Sequence, residues 1–191
     1  MLALYDNPDL VRRVVDRVGQ IIYDAFNVFC SVPEIFAIWL GDDMGQQQGL
    51  LMELDTWRQF FKPRMANIIS EVKKINKDIK VAYHTDGDNM ELIPDLIDIG
   101  LDILNPIQAE CMDPAKVKKL YGDKLSFFGS IAVQSTLPFG TPQDVKNEYK
   151  LRLETIGKDG GWICAPTHHV QLDTPMENFL ALMEAMGIES V

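Results

Sequence analysis

The sequence predicts an α/β protein built on a parallel sheet of about five strand-loop-helix units. Three observations carry this: short apolar runs recur at 36–40, 80–83, 101–104, 126–131 and 162–166; each stops at a polar or Gly/Pro cluster; and each is followed by helical spacing of apolar residues. Sheets of this kind hold their ligands beyond the carboxyl ends of the strands, which says where a site is to be sought.

The elements follow in order. Pro8 after Asn7 marks a helix N-terminus, and Leu10, Val11, Val14, Val15, Val18, Ile21, Ile22, Ala25 and Phe26 continue it at helical spacing. The run 36–40 is a strand that ends at Gly41-Asp42-Asp43, and 56–76 is a helix in which Pro63 predicts a kink. Strand 80–83 ends at His84-Thr85-Asp86-Gly87 and leads into a helix over 90–99, stopped by Gly100. Strand 101–104 ends at Asn105-Pro106-Ile107-Gln108, after which Asp113-Pro114 opens a helix that runs to Tyr121-Gly122. Strand 126–131 is followed by a long loop to Thr141-Pro142, where a helix to Ile156 begins; Gly160-Gly161 releases strand 162–166, and a last helix starts near Thr174-Pro175.

No linker or low-complexity tract interrupts the series, so 1–191 reads as a single domain, and 191 residues with 47% hydrophobic content suffice for a substantial core. A closed (β/α)8 barrel normally needs about 250 residues. Periodicity therefore leaves two architectures open, a doubly wound open sheet or the later part of a barrel.

A net charge of -10 and a pI near 4.7 argue against nucleic-acid and anionic-membrane partners, because no basic stripe is present. The apolar runs are strand-sized, and Met1 opens a polar amphipathic stretch without a signal-peptide core, so a cytoplasmic location is expected. Cys30, Cys111 and Cys164 form no CxxC pair and read as reduced, buried thiols.

The chemistry lies at the strand ends. His84 and Asp86 are two apart in an extended segment and leave the same face, a pairing that suits a divalent metal, or a general base oriented by a carboxylate, or a histidine simply satisfied by its neighbour. His168 and His169 complete the three histidines of the chain, and all of them fall at predicted strand ends. Asp42 and Asp43 are adjacent carboxylates whose repulsion raises a pKa, or else a loop cap and a solvated neighbour. Gln108 and Gln134 follow strands, where amides hold substrate carboxylates or bridge loops.

The series Gly41-Asp42-Asp43-Met44-Gly45, His84-Thr85-Asp86-Gly87 and Ile93-Pro94-Asp95 through Asn105-Pro106-Ile107-Gln108 resembles the uroporphyrinogen decarboxylase superfamily. The likeness continues through Gly129, Gln134, Leu137-Pro138, Gly140-Thr141-Pro142, Gly160-Gly161, Ala165-Pro166-Thr167-His168, Thr174-Pro175 and Glu177-Asn178. It implies a TIM-barrel, (β/α)8-type fold, of which this chain supplies about five βα units of a truncated barrel, roughly the fourth to the eighth strand. The N-terminal region, where the decarboxylase carries its Arg-rich motif and catalytic Asp, is not in this sequence.

The superfamily's corrinoid-dependent methyltransferases bind zinc through a His-x-Cys and a later Cys. His84 matches that histidine, whereas Asp86 and His168 stand where the cysteines would be, which implies a harder His/Asp/His set for zinc or another divalent metal. In the decarboxylase branch His168 matches a retained last-strand histidine. That branch answers a polycarboxylate with arginines, whereas Asp42, Asp43, Asp86 and Glu110 form an acidic rim here.

The reading expected on these grounds is a metal-assisted methyltransferase acting on a small molecule with a corrinoid protein as partner. His84, Asp86, His168 and Asp43 would carry catalysis, and Asp42, Gln108, Gln134 and His169 would contact substrate. The alternatives are a uroporphyrinogen III decarboxylase of porphyrin biosynthesis, or a non-catalytic half-barrel that must pair with itself or with an N-terminal half to cover its open edges.

Overall fold

A computed structural model describes residues 1–188 of the chain; 189–191, the last residues of the expected domain, lie outside the described residues. The order of elements is α1 (Ala3–Asp6), α2 (Pro8–Phe29), β1 (Ala37–Gly41), β2 (Gly45–Gln46), β3 (Gly49–Leu50), α3 (Leu54–Phe60), α4 (Lys62–Ile75), β4 (Lys80–His84), α5 (Ile93–Asp98), β5 (Ile103–Asn105), α6 (Pro114–Tyr121), β6 (Ser126–Ile131), α7 (Thr136–Phe139), α8 (Pro142–Glu154), β7 (Trp162–Pro166) and α9 (Met176–Ala185). Five strands make one sheet in the order β1-β4-β5-β6-β7, each pairing in parallel with the next, while β2 and β3 form a small separate hairpin. Parallel neighbours in chain order joined by helical crossovers are the arrangement of part of a (β/α)8 barrel.

Alternation along the strands separates two faces. Ile38, Leu40, Val81, Tyr83, Leu104 and Phe127 bury against helix residues such as Ile68, Ile69, Val72, Leu96 and Val117 in one core. The intervening residues Trp39, His84, Asn105, Phe128 and Ala165 line the opposite face, where Trp39 keeps 46% of its surface exposed. Trp39 and Phe128 meet edge to face there, with ring centroids 5.4 Å apart. A second core gathers Ile131, Leu137, Val145, Ala181 and Leu182 from β6, α7, α8 and α9.

Helix starts follow their caps. The Asn7 side chain accepts from Leu10 N at the start of α2, and Asp113 does so from Ala115 N and Lys116 N at α6. Thr141 and Asp144 form a reciprocal capping box at α8. The kink expected at Pro63 is a break at Phe61, which ends α3 and precedes α4; Pro63 then sits in the first turn of α4, where its missing N–H costs nothing. Strand β5 begins at Ile103 rather than at 101, because Leu101 N bonds back to Leu96 O and closes the turn after α5 at Gly100, whose φ is +91°. The long loop after β6 contains α7, held by Asn178, whose buried Nδ2 donates to Leu137 O (2.9 Å) and Gly140 O (2.7 Å). None of the helices is long and apolar enough to cross a membrane among the described residues.

Candidate metal centre

Strand β4 places His84 at its carboxyl end, in register with Gly41 of β1 on one side and Asn105 of β5 on the other. This register brings His84 Nδ1 to 2.6 Å from Asn105 Oδ1. The Asn105 amide is itself oriented, because its Nδ2 donates to Phe128 O at 3.2 Å. Oδ1 therefore accepts from Nδ1–H, and the neutral imidazole presents the lone pair of Nε2. That lone pair faces Asp86 Oδ2 at 3.7 Å and Asp43 Oδ1 at 3.8 Å.

From β7, His168 brings its Nε2 to 3.9 Å from the same Asp86 Oδ2. Ligand atoms of His84, Asp86 and His168 all lie within 4.8 Å of one another. A nitrogen lone pair and carboxylate oxygens so close repel unless a proton or a cation sits among them. Tetrahedral zinc with bonds of about 2.0–2.1 Å sets its ligands roughly 3.3–3.4 Å apart, so Asp86 has to close on each histidine by about half an ångström or less, while the two histidine nitrogens, within 4.8 Å, have to approach by up to about 1.4 Å, a side-chain adjustment. Three protein ligands also leave a coordination position for another molecule. The residues thus fit a divalent cation.

The loop that carries Asp86 is built by buried polar groups. Thr85 is fully buried; its hydroxyl accepts from Met44 N at 2.9 Å and donates to Asn89 Oδ1 at 3.2 Å. Asn89 Nδ2 in turn donates to the carbonyls of Thr85, Asp86 and Gly87 at 2.8, 3.0 and 3.1 Å. Gly45 of the β2–β3 hairpin lies directly against this loop: a Cβ there would come within 2.4 Å of Asp86 O. Gly87, at φ +84°, packs equally closely on the backbone of Gly45 and Gln46. Burial, above all, pushes the Asp86 carboxyl up from its ordinary range; His84 opposes this when protonated, Asp43 adds to it, and His168 opposes it when protonated.

A cleft of about 570 Å³ opens beside the cluster, lined by the expected residues Asp86, Gln108, Gln134, His168 and His169 together with Gln46, Gln47, Gln171 and Asp173. Gln108 serves two purposes, since its Oε1 accepts from Gly87 N at 2.9 Å while the residue also faces the cleft. Asp43 stands at the cluster, with Oδ1 accepting from Asp86 N at 3.2 Å. Asp42 is set apart from these: it lines a separate, mainly apolar cavity of about 250 Å³ between α2, α3 and α4.

Asn105, Thr85, Asn89 and Gly45 are the positioning residues that sequence reasoning did not single out. A polar residue at the end of an apolar strand was visible at Asn105. Its link to His84, however, exists only through the pairing of β4 with β5.

Comparison with known proteins agrees with this architecture. The family model described as uroporphyrinogen decarboxylase (URO-D) matches residues 1–187. The chain belongs to the uroporphyrinogen decarboxylase family. Within it, a curated relative, the methylcobamide:CoM methyltransferase MtaA of Methanosarcina barkeri, is 30% identical over 135 residues, covering 71% of this chain and 37% of the relative. The corresponding protein of M. barkeri strain Fusaro is 28% identical over the same length. A solved methyltransferase from Methanosarcina mazei superposes with a TM-score of 0.74 at 24% identity, over 98% of this chain and 52% of that one, which shows the shared fold. The chain thus spans about half or less of the length of these uroporphyrinogen decarboxylase-family relatives.

Proposed function

We propose that this chain carries the metal-binding half of a methyltransferase site, in which His84, Asp86 and His168 hold zinc or a similar divalent cation. The observation that carries this reading is the convergence of two imidazole Nε2 atoms and a carboxylate, with His84 Nε2 left as a lone-pair donor by the bond from Nδ1 to Asn105. A cation bound there supplies Lewis-acid activation of a methyl acceptor. Around it, the protein's own groups orient and exclude: Asn105 fixes His84, the buried Thr85–Asn89 pair holds Asp86, and the cleft receives the acceptor. Asp43, 3.8 Å from His84 Nε2, is placed to take a proton from an incoming nucleophile.

The methyl donor, on this reading, is a methylated corrinoid brought by a partner protein, in line with the curated relatives, which are methylcobamide:CoM methyltransferases. A decarboxylase acting on a polycarboxylate is disfavoured, because no Lys or Arg lines the cleft among the described residues. The apolar face that exposes Trp39 and Ile163 is closed, in the working enzyme, by further strands of the barrel, from a longer chain or a second polypeptide. Elemental analysis of untagged protein tests the central claim. About one equivalent of divalent metal per chain is expected, falling several-fold in His84→Ala; less than about a tenth of an equivalent, unchanged by that substitution, would remove it.

A further inference from the structure

The polar lining of the cleft beside the candidate centre includes five carboxamides, from Gln46, Gln47, Gln108, Gln134 and Gln171, two carboxylates, from Asp86 and Asp173, and the imidazoles of His168 and His169, with no Lys or Arg among the described residues. We propose that the small nucleophile taken by this cleft has a neutral or cationic tail with several hydrogen-bonding groups, and that anionic tails such as sulfonates and carboxylates are rejected. The inference rests on the proposed metal-assisted methyl transfer and names the chemical class of its acceptor.

Three features lead there. A bound anion needs donors held by positive charge to offset its lost hydration; among the described residues no Lys or Arg lines the cleft, and of its two histidines His168 is assigned to the cation, which leaves His169 alone. Carboxamides supply donors and acceptors alike without charge, so they satisfy hydroxyl, amide or ammonium groups equally well. Three of them are already positioned: Gln47 Nε2 donates to Gln134 Oε1 at 3.1 Å, and Gln108 Oε1 accepts from Gly87 N.

Behind the lining, a further carboxylate adds negative charge rather than relieving it. Glu110 Oε1 accepts from Gln134 N at 3.0 Å and Ser135 Oγ at 3.3 Å, which ties a carboxylate to the segment that carries Gln134, while its buried Oε2 has no partner among the described residues. A divalent cation at His84, Asp86 and His168 offsets Asp86 and attracts the reacting atom. It leaves Asp173 and Glu110 to repel an anionic tail and to favour an ammonium.

The test uses the full chain loaded with cobalt(II), whose absorption reports thiolate coordination. Cysteamine, 2-mercaptoethanol and 2-mercaptoethanesulfonate are compared at equal thiolate concentration, so that only the tail differs. The ammonium and hydroxyl thiols are expected to half-saturate the spectral change at concentrations about tenfold or more below the sulfonate. Raising the salt concentration should narrow that gap. Gln171→Arg, on the exposed loop, should improve sulfonate binding about tenfold relative to 2-mercaptoethanol. A sulfonate that binds the wild type as tightly as the neutral thiol overturns the inference on its own. A cobalt spectrum that responds to none of the thiols overturns the methyl-acceptor reading, and this inference with it.

Discussion

Removing the Asn105 amide tests whether His84 is a prepared ligand or merely a histidine at a strand end. In Asn105→Ala, His84 Nδ1 loses a 2.6 Å partner, and the imidazole can rotate or shift its proton to Nε2, the atom that faces Asp86 and Asp43. Loss of a hydrogen-bond partner behind a ligating histidine costs about 10–100-fold in metal affinity, or ~1.4–2.7 kcal/mol. The same substitution removes the bond from Nδ2 to Phe128 O, so a stability loss accompanies it and must be separated. Asn105→Asp does this: it keeps an acceptor for His84 Nδ1–H but sets a carboxylate oxygen against Phe128 O. Competition with a chromogenic zinc chelator should therefore show weakened binding in the alanine variant and retained binding in the aspartate variant, although urea unfolding shows both destabilised. Zinc affinity of Asn105→Ala within twofold of wild type, with the fold intact, would refute the positioning role.

Asn89→Ala should lower the unfolding free energy by about 2–4 kcal/mol in urea melts, because one fully buried amide serves three carbonyls and the Thr85 hydroxyl. Gly45→Ala should cost stability and metal binding together, since the new Cβ meets Asp86 O at 2.4 Å and Asn89 Oδ1 at 2.7 Å and the Asp86 loop must move; unchanged thermal stability and zinc stoichiometry would contradict that packing. Asp95 gives a pH signature. Arg58 first, and Lys62 after it, hold its carboxyl below the ordinary range against the opposing effect of burial. A depressed folded value adds stability that is complete above the unfolded value of about 3.9 and is lost as pH falls through the lower folded value. The gap between wild type and Asp95→Asn should thus be about 1–2 kcal/mol at pH 7, modest because Arg58 is half exposed, and should shrink below about pH 4.

The strands were legible because a buried parallel strand writes a short apolar run, and its end writes a polar cluster. All five runs fall on sheet strands, shifted by at most a few residues. The hairpin β2–β3 was not, since Gly45–Gln46 and Gly49–Leu50 are too short and too polar to form a run, and neither was α7, a single turn inside a Pro- and Gly-containing segment. Strand-end location drew attention to His84 with Asp86 and to His168, the family resemblance grouped the three, and the structure brings them together. Location was insufficient for Asp42, which β1 turns toward the helices. Residue alternation explains the difference between neighbours: Asp43 reaches the His84 cluster while Asp42 faces the cavity under α2. Asn105 and Asn89 were beyond reach because their partners lie across the sheet or in backbone carbonyls, neither of which leaves a trace in spacing.

Charge at the strand ends also says how metal and fold depend on each other. Without a cation, Asp43 Oδ1 and Asp86 Oδ2 each stand under 4 Å from His84 Nε2, and their repulsion is carried by the Thr85–Asn89 network and by Gly45 packing. A divalent ion would convert that repulsion to attraction, and so would stabilise the folded chain by RT ln(1 + [L]/Kd), about 2.7 kcal/mol at a hundredfold excess over Kd. The same groups in an unfolded chain are far apart and gain little. Zinc should therefore raise the unfolding midpoint of the wild type and leave that of His84→Ala nearly unmoved. A midpoint that shifts equally in both would assign the ion to some other place on this acidic surface.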